Sequence, residues 1–245
     1  MEFWSHDEGE FFEERDDENT ESLDEQHIRR FYKWLQKKKR LGVELTPEDL
    51  NKIEEVIDNC IENGYFKLAL RFCNTLLQYN PTSADLLVKK GFVLINLRDY
   101  QNATNTLEEA LTINPNNSNG LIFLSLIHFN EGNLEKSLNL LDKVLSFEPN
   151  NFALYNKAIV LQAYQQFDDA LEIFQKLLDD ENYKIEALQE ISHILFLQGK
   201  YEESLNANLE ALEIEPNNFW HWFNLGHCYL ELHRFYKSVD AFQNA

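Results

Sequence analysis

The sequence predicts an all-α chain, a right-handed α-solenoid of stacked antiparallel helix pairs, and three observations carry that expectation. The first is a period. The stretch from Ala84 to Asn117, ADLLVKKGFVLINLRDYQNATNTLEEALTINPNN, can be laid with substitutions over most of the chain. Two apolar-periodic segments in it, Ala84 to Leu97 and Tyr100 to Ile113, are separated by the polar break Arg98-Asp99 and closed by Asn114-Pro115, which reads as helix, turn, helix. The second observation is a pair of small-residue columns. Gly91 aligns with Ile57, Ser125, Ala158, Ser192 and Gly226, and Ala103 aligns with Ala69, Ser137, Ala170, Ser204 and Ser238. Only Ile57 is bulky. Two antiparallel helices approach closely only where one offers no bulk opposite the other. The third is punctuation: Asn80-Pro81, Asn114-Pro115, Glu148-Pro149 and Glu215-Pro216 end the units, because proline cannot continue a helix.

A helical-hairpin period of 34 residues, the spacing of Pro81, Pro115 and Pro149, resembles the tetratricopeptide repeat family. The likeness is most literal in WFNLGHCYLELHRFYKSVDAF, where Trp222, Leu225, Gly226, Tyr229, Phe235 and Phe242 stand in that family's signature columns and Ser238 in its small-residue column. It covers Leu50 to Ala245. Five complete units start at Leu50, Ala84, Ser118, Asn151 and Ile185, and a partial sixth starts at Phe219. One residue is missing between the third and fourth units, and the fourth closes on Asp179-Asp180-Glu181-Asn182-Tyr183 without proline, so that junction is expected to bend differently.

In chain order, residues 1–25 hold twelve acidic side chains and one Arg, a composition too polar to repay its ordering entropy, and an acidic tail without fixed structure is expected. Its aromatics Phe3, Trp4, Phe11 and Phe12 offer a second reading, a docking motif that folds on a partner. Residues 26–45 read as a basic amphipathic helix, capped by Ser22 and Glu25, striped by Ile28, Phe31, Tyr32 and Leu35, and stopped at Gly42. Arg29, Arg30, Lys33, Lys37, Lys38, Lys39 and Arg40 give it seven positive charges. Residues 41–245 carry −16, so the helix is expected to cap the first unit with its basic end near Glu54, Asp58 and Glu62. The alternative is contact with a polyanion, a membrane or ribosome surface. Thr46-Pro47-Glu48-Asp49 then opens the solenoid, residues 46–245, with Thr as N-cap, Pro at the first helical position and acids in the first turn. The sixth unit breaks off at Ala245 within its second helix and shows no polar outer face, which predicts a longer array, or completion by a partner or by self-association through the C-terminal repeat.

Composition narrows the function. A net charge of −20 repels a nucleic-acid backbone and argues against it as the main ligand. Cys60, Cys73 and Cys228 have neither metal spacing nor an even number, and read as buried thiols of a reducing compartment. There is no secretory signal after Met1, and the longest apolar run, Leu121 to Ile127, is far short of the roughly 20 residues of a span. A soluble cytoplasmic protein is expected. His221, His227 and His233 are spaced six and six, which scatters them around a helix, whereas helical metal pairs need i, i+3 or i, i+4. With no glycine-rich phosphate loop and no nucleophile elbow, the reading is a protein without catalytic residues or cofactor.

What remains is a second stripe, one residue after the core stripe of each first helix: Val88, Phe92 and Ile95, then Ile122, Leu126 and Phe129, then Tyr155 and Ile159, then Phe223 and His227. Phe152 and Trp220 stand three residues before Tyr155 and Phe223, and Phe196 extends the row in the fifth unit, where Gln189 and His193 are polar. In the resembled family these columns line a concave groove that holds a peptide or a partner helix. Seven aromatics at about 200 Å² each, a third exposed, would leave roughly 500 Å² of apolar surface, the size of a binding patch. Relatives that clamp acidic chaperone termini place cations here, and this chain does not. The expected partner is therefore a protein or peptide, apolar or amphipathic with basic flanks, held on a scaffold or adaptor. The competing expectations are an adaptor recruited to a membrane or ribosome surface by residues 28–40, and the regulatory repeats of a longer enzyme.

Overall fold

The structure, a computed structural model, describes residues 23–245, so the Ser22 cap and most of the acidic stretch lie outside the described residues. All regular structure among those residues is helical. The helices are α1 (Leu23–Arg40), α2 (Pro47–Glu62), α3 (Phe66–Leu76), α4 (Ala84–Asn96), α5 (Tyr100–Ile113), α6 (Ser118–Asn130), α7 (Leu134–Phe147), α8 (Asn151–Ala163), α9 (Phe167–Leu177), α10 (Lys184–Leu197), α11 (Tyr201–Ile214), α12 (Phe219–Glu231) and α13 (Phe235–Asn244). From α2 onward they pair as first and second helices of successive repeats, each second helix in α5 to α11 packing on the first helix that follows. The fold is an all-α solenoid. It divides into two compact units, 23–81 and Thr82–Ala245.

In the N-terminal unit, α1 lies on the first hairpin. Ile28 and Leu35 are buried. The ring of Tyr32 meets Phe72 edge-on at 5.3 Å, and Phe31 stacks on the same ring at 6.0 Å. The apolar face of α1 is thereby used in packing. Its basic end meets the start of α2, where the Lys38 ammonium reaches Asp49 Oδ2 at 2.7 Å, and Lys39 donates to Gln78. The bond from Lys38, with the Thr46 backbone, holds the Asp49 carboxyl below its ordinary range. Arg29, Arg30, Lys33, Lys37 and Arg40 are exposed. Thr46 and Asp49 close the capping box that starts α2.

The C-terminal unit repeats one device. Ser83, Asn117, Asn150 and Asn218 cap the first helices of their repeats through side-chain oxygens, satisfying amides that have no partner within the helix. Between the two helices of every repeat the chain passes once through left-handed angles, at Gly64, Arg98, Gly132, Gln165, Gly199 and His233. Only half of these are glycine. The small columns meet as expected: a Cβ on Gly91 would lie 2.5 Å from the Leu107 side chain, and one on Gly226 would lie 2.5 Å from the Phe242 ring. Serines in these columns bond across the gap, Ser204 Oγ donating to the carbonyl of Ser192 at 2.8 Å and Ser238 Oγ to that of Gly226 at 2.9 Å. The missing residue falls between Glu148, the C-cap of α7, and Asn150, the N-cap of α8, and costs no helical turn. Where the fourth unit lacks proline, α9 ends at Leu177 and α10 starts from Tyr183 without a side-chain cap. The three cysteines are buried. No helix among the described residues is long and apolar enough to cross a membrane.

Candidate functional site

The first helices of the C-terminal unit stand side by side: α4 touches α6, α6 touches α8, and Gln162 of α8 meets His193 of α10 at 3.1 Å. Residues at one helical position therefore form a row across repeats. The structure sorts the expected row into two sets. Phe92, Ile95, Phe129, Phe152, Tyr155, Ile159, Phe196, Phe223 and His227 are partly exposed, and Trp220 is 45% exposed. Val88, Ile122 and Leu126 are buried, which corrects their placement on a binding surface. The reason is the contact between neighbouring first helices. A Cβ on Gly120 would come within 3.2 Å of Val88, so the start of α6 sits on that side chain, and Ile122 belongs to the core cluster that includes Ala153 of α8.

The open residues form a middle tract and a C-terminal tract. In the middle, Phe92 leans on Phe123 of the next first helix at 5.1 Å, while Phe129 and Phe152 pack against the same core cluster. Tyr155 sits between Phe174 at 5.8 Å and Tyr183 at 5.9 Å. Its hydroxyl is pushed above the ordinary phenol range, first by burial and then by the carboxylates of Glu190 and Glu186 on α10. That part of the row is apolar with an acidic margin. In the C-terminal tract Phe223 stacks on Phe219 at 5.7 Å, meets Trp220 and His227 edge-on, and touches Phe242 of α13.

Three contributors were not read from the sequence. Phe123 and Tyr183 lie off the counted stripe, and Phe219 precedes Trp220. Phe219 alone had a signal, its i, i+4 spacing to Phe223. An open cleft of about 350 Å³ lies elsewhere, between the turn Gly132–Lys136 and Tyr164, and no residue of the row lines it. Among the described residues no three His, Cys, Asp or Glu side chains are grouped to hold a metal ion.

Comparison with known proteins agrees with this geometry. Family models described as tetratricopeptide repeat match residues 94–159 and 152–181, and one described as TPR repeat matches 193–232, together more than half of the chain. The BBSome complex member BBS4 of Bos taurus is 27% identical over 94 residues, 38% of this chain and 18% of the relative. The chain thus matches less than a fifth of that relative's length. Among solved structures, PilW, a type IV pilus biogenesis factor, superposes with a TM-score of 0.72 at 14% identity, over 80% of this chain and 91% of that one. YrrB, a TPR protein with an unusual peptide-binding site, gives 0.56 at 16% identity, over 70% of this chain and 89% of that one. At such identities the two structures speak for the fold alone. With its period, its small columns and three matching repeat models, the chain belongs to the tetratricopeptide repeat family and is a protein-interaction repeat scaffold.

Proposed function

We propose that the scaffold works without catalysis, gripping an extended or helical segment of a partner protein along the aromatic row of α4, α6, α8, α10 and α12. One observation carries this: aromatic side chains recur at the groove positions of successive first helices and stay partly open, although the same helices bury Val88, Ile122 and Leu126 completely enough to form a core. Large apolar groups left open in a row are costly unless a ligand covers them. The acidic margin beside Tyr155 supports a partner with a basic flank, because Glu186 is exposed there and its carboxylate acts on the edge of the row. The peptide-binding site named for YrrB supports the same class of ligand.

Panning a random peptide library on the intact chain tests this. Enriched peptides should join aromatic or aliphatic anchors to Lys or Arg. The double variant Phe92→Ala with Phe129→Ala should bind them about thirtyfold more weakly, a larger loss than the one in folding stability that follows from removing two rings packed on Phe123 and the core cluster. Glu186→Lys should reverse the preference for basic flanks. Peptides that bind both proteins equally, or affinity and folding lost in equal measure, would remove the row as a binding site.

A further inference from the structure

We infer that the outward face of α1 docks on an anionic lipid membrane, through residues that the aromatic row does not use. Residues 26–43 hold seven cations and no acid, within a chain of net charge −20. Lys38 and Lys39 act inside the fold, on Asp49 and Gln78. Arg30, Lys33, Lys37 and Arg40 are exposed and, among the described residues, make no ion pair or hydrogen bond. At 100° per residue these four fall in one sector of about 80°. The buried Ile28 and Leu35 lie on the other side of the helix. A sector of this charge cannot pack another helix without stranding its cations, so its openness follows from its own composition.

The apolar members of the face select lipid among the possible polyanions. Trp34 borders the cations about 40° further round the helix. It stacks on Phe31 at 5.4 Å with the Lys38 ammonium 4.3 Å from its ring, and is still 39% exposed. The turn that ends α1 adds Leu41 at 68% and Val43 at 47% exposure. Tryptophan settles at the level of lipid headgroups, its ring against hydrocarbon and its N–H toward water. Leu41 and Val43 are stabilised by leaving water only where an apolar phase lies beside the phosphates. A nucleic acid offers the phosphates without that phase, and residues 26–43 contain no Asn, Ser or Thr to bond sugars or base edges. Clusters of about four to eight Lys and Arg on a helix are of the size that anionic leaflets attract. The acid excess elsewhere does not cancel this, because charges beyond a Debye length, about 8 Å at physiological strength, are largely screened.

Flotation of the intact chain with vesicles of phosphatidylcholine alone, or of phosphatidylcholine with about 30% phosphatidylserine, is the test. The chain should float with the anionic vesicles, not with the neutral ones, and should be released as salt is raised. The combined variant Arg30→Gln, Lys33→Gln, Lys37→Gln and Arg40→Gln should bind about a hundredfold more weakly or worse, at roughly fivefold per cation, with unchanged thermal unfolding. Lys136→Gln, Lys176→Gln, Lys200→Gln and Lys237→Gln together, at exposed positions elsewhere, make the chain equally more acidic and should leave binding nearly unchanged. Leu41→Ser with Val43→Ser should weaken vesicle binding severalfold. The emission of Trp34, read as the difference from Trp34→Phe, should shift to the blue on the anionic vesicles. No flotation, equal flotation with neutral vesicles, equal loss in the two quadruple variants or an unmoved Trp34 emission would overturn the assignment. So would a single-stranded RNA homopolymer that strips the chain from the vesicles and binds Leu41→Ser with Val43→Ser as tightly as the native chain, since the face would then serve nucleic acid.

Discussion

His221 is fully buried, and neither ring nitrogen has a hydrogen-bond partner. The equivalent positions of α4, α6, α8 and α10 hold Leu86, Gly120, Ala153 and Ala187, all buried, so the imidazole occupies a place that in those helices needs no polar atom. Burial holds its pKa below the ordinary histidine range, and the Glu215 carboxylate opposes this only in part. The sign follows from linkage. Below about pH 6.5 an unfolded chain takes up a proton here that the folded chain resists, so this contribution to stability is complete above that pH and is lost as pH falls. His221→Leu should be at least as stable at neutral pH, since two unsatisfied polar atoms leave the core. Between pH 7.5 and 5.5 the native chain should lose up to about 1 kcal/mol more than the variant in urea unfolding, the other histidines acting alike in both. Parallel pH profiles would show that His221 finds a partner or takes its proton freely in the fold.

Where two helices of a repeat cross, the residue that permits the approach also decides what substitution costs. Gly91 and Gly226 stand at the same position, each with a side chain 2.5 Å from where a Cβ would be placed. Their neighbours differ. Leu107 is fully buried and cannot retreat, whereas Phe242 is partly exposed and can swing outward. Gly91→Ala should therefore cost about 1 to 3 kcal/mol by overpacking, and Gly226→Ala clearly less, measured by chemical denaturation. Equal costs would mean that the backbones, not these side chains, set the spacing. This element-level geometry was legible in the sequence, because close packing leaves a column of small residues and helix ends leave prolines and capping side chains. Arg98 shows the complementary limit. It adopts left-handed angles that in three other repeats belong to glycine, so the turn is fixed by the two helices around it rather than by the residue's own preference. The open face was only half legible. Val88 and Phe92 both want an apolar neighbour, and which of them meets the next helix depends on how far adjacent repeats rotate, a quantity that composition and period do not carry.

For the molecule as a whole the governing quantity is its charge of −20. The exposed pairs Lys176–Glu172 and Lys184–Glu210 each contribute little, since ion pairs of this kind are worth about 0 to 1 kcal/mol. Long-range repulsion among the excess carboxylates works against the folded state, and salt weakens it over a Debye length of about 8 Å at physiological strength. Adding sodium chloride should then act in opposite directions on two properties of one chain. The unfolding temperature should rise, because repulsion within the molecule falls. Association with a basic-flanked peptide at the row should slow, because the attraction that steers it is screened. Peptide association rates and unfolding temperature measured across one salt series separate the two effects without any substitution. A peptide rate that rises with salt would exclude the acidic margin as its guide, and an unfolding temperature that falls would mean that ion pairs outweigh the net charge in holding the repeats together.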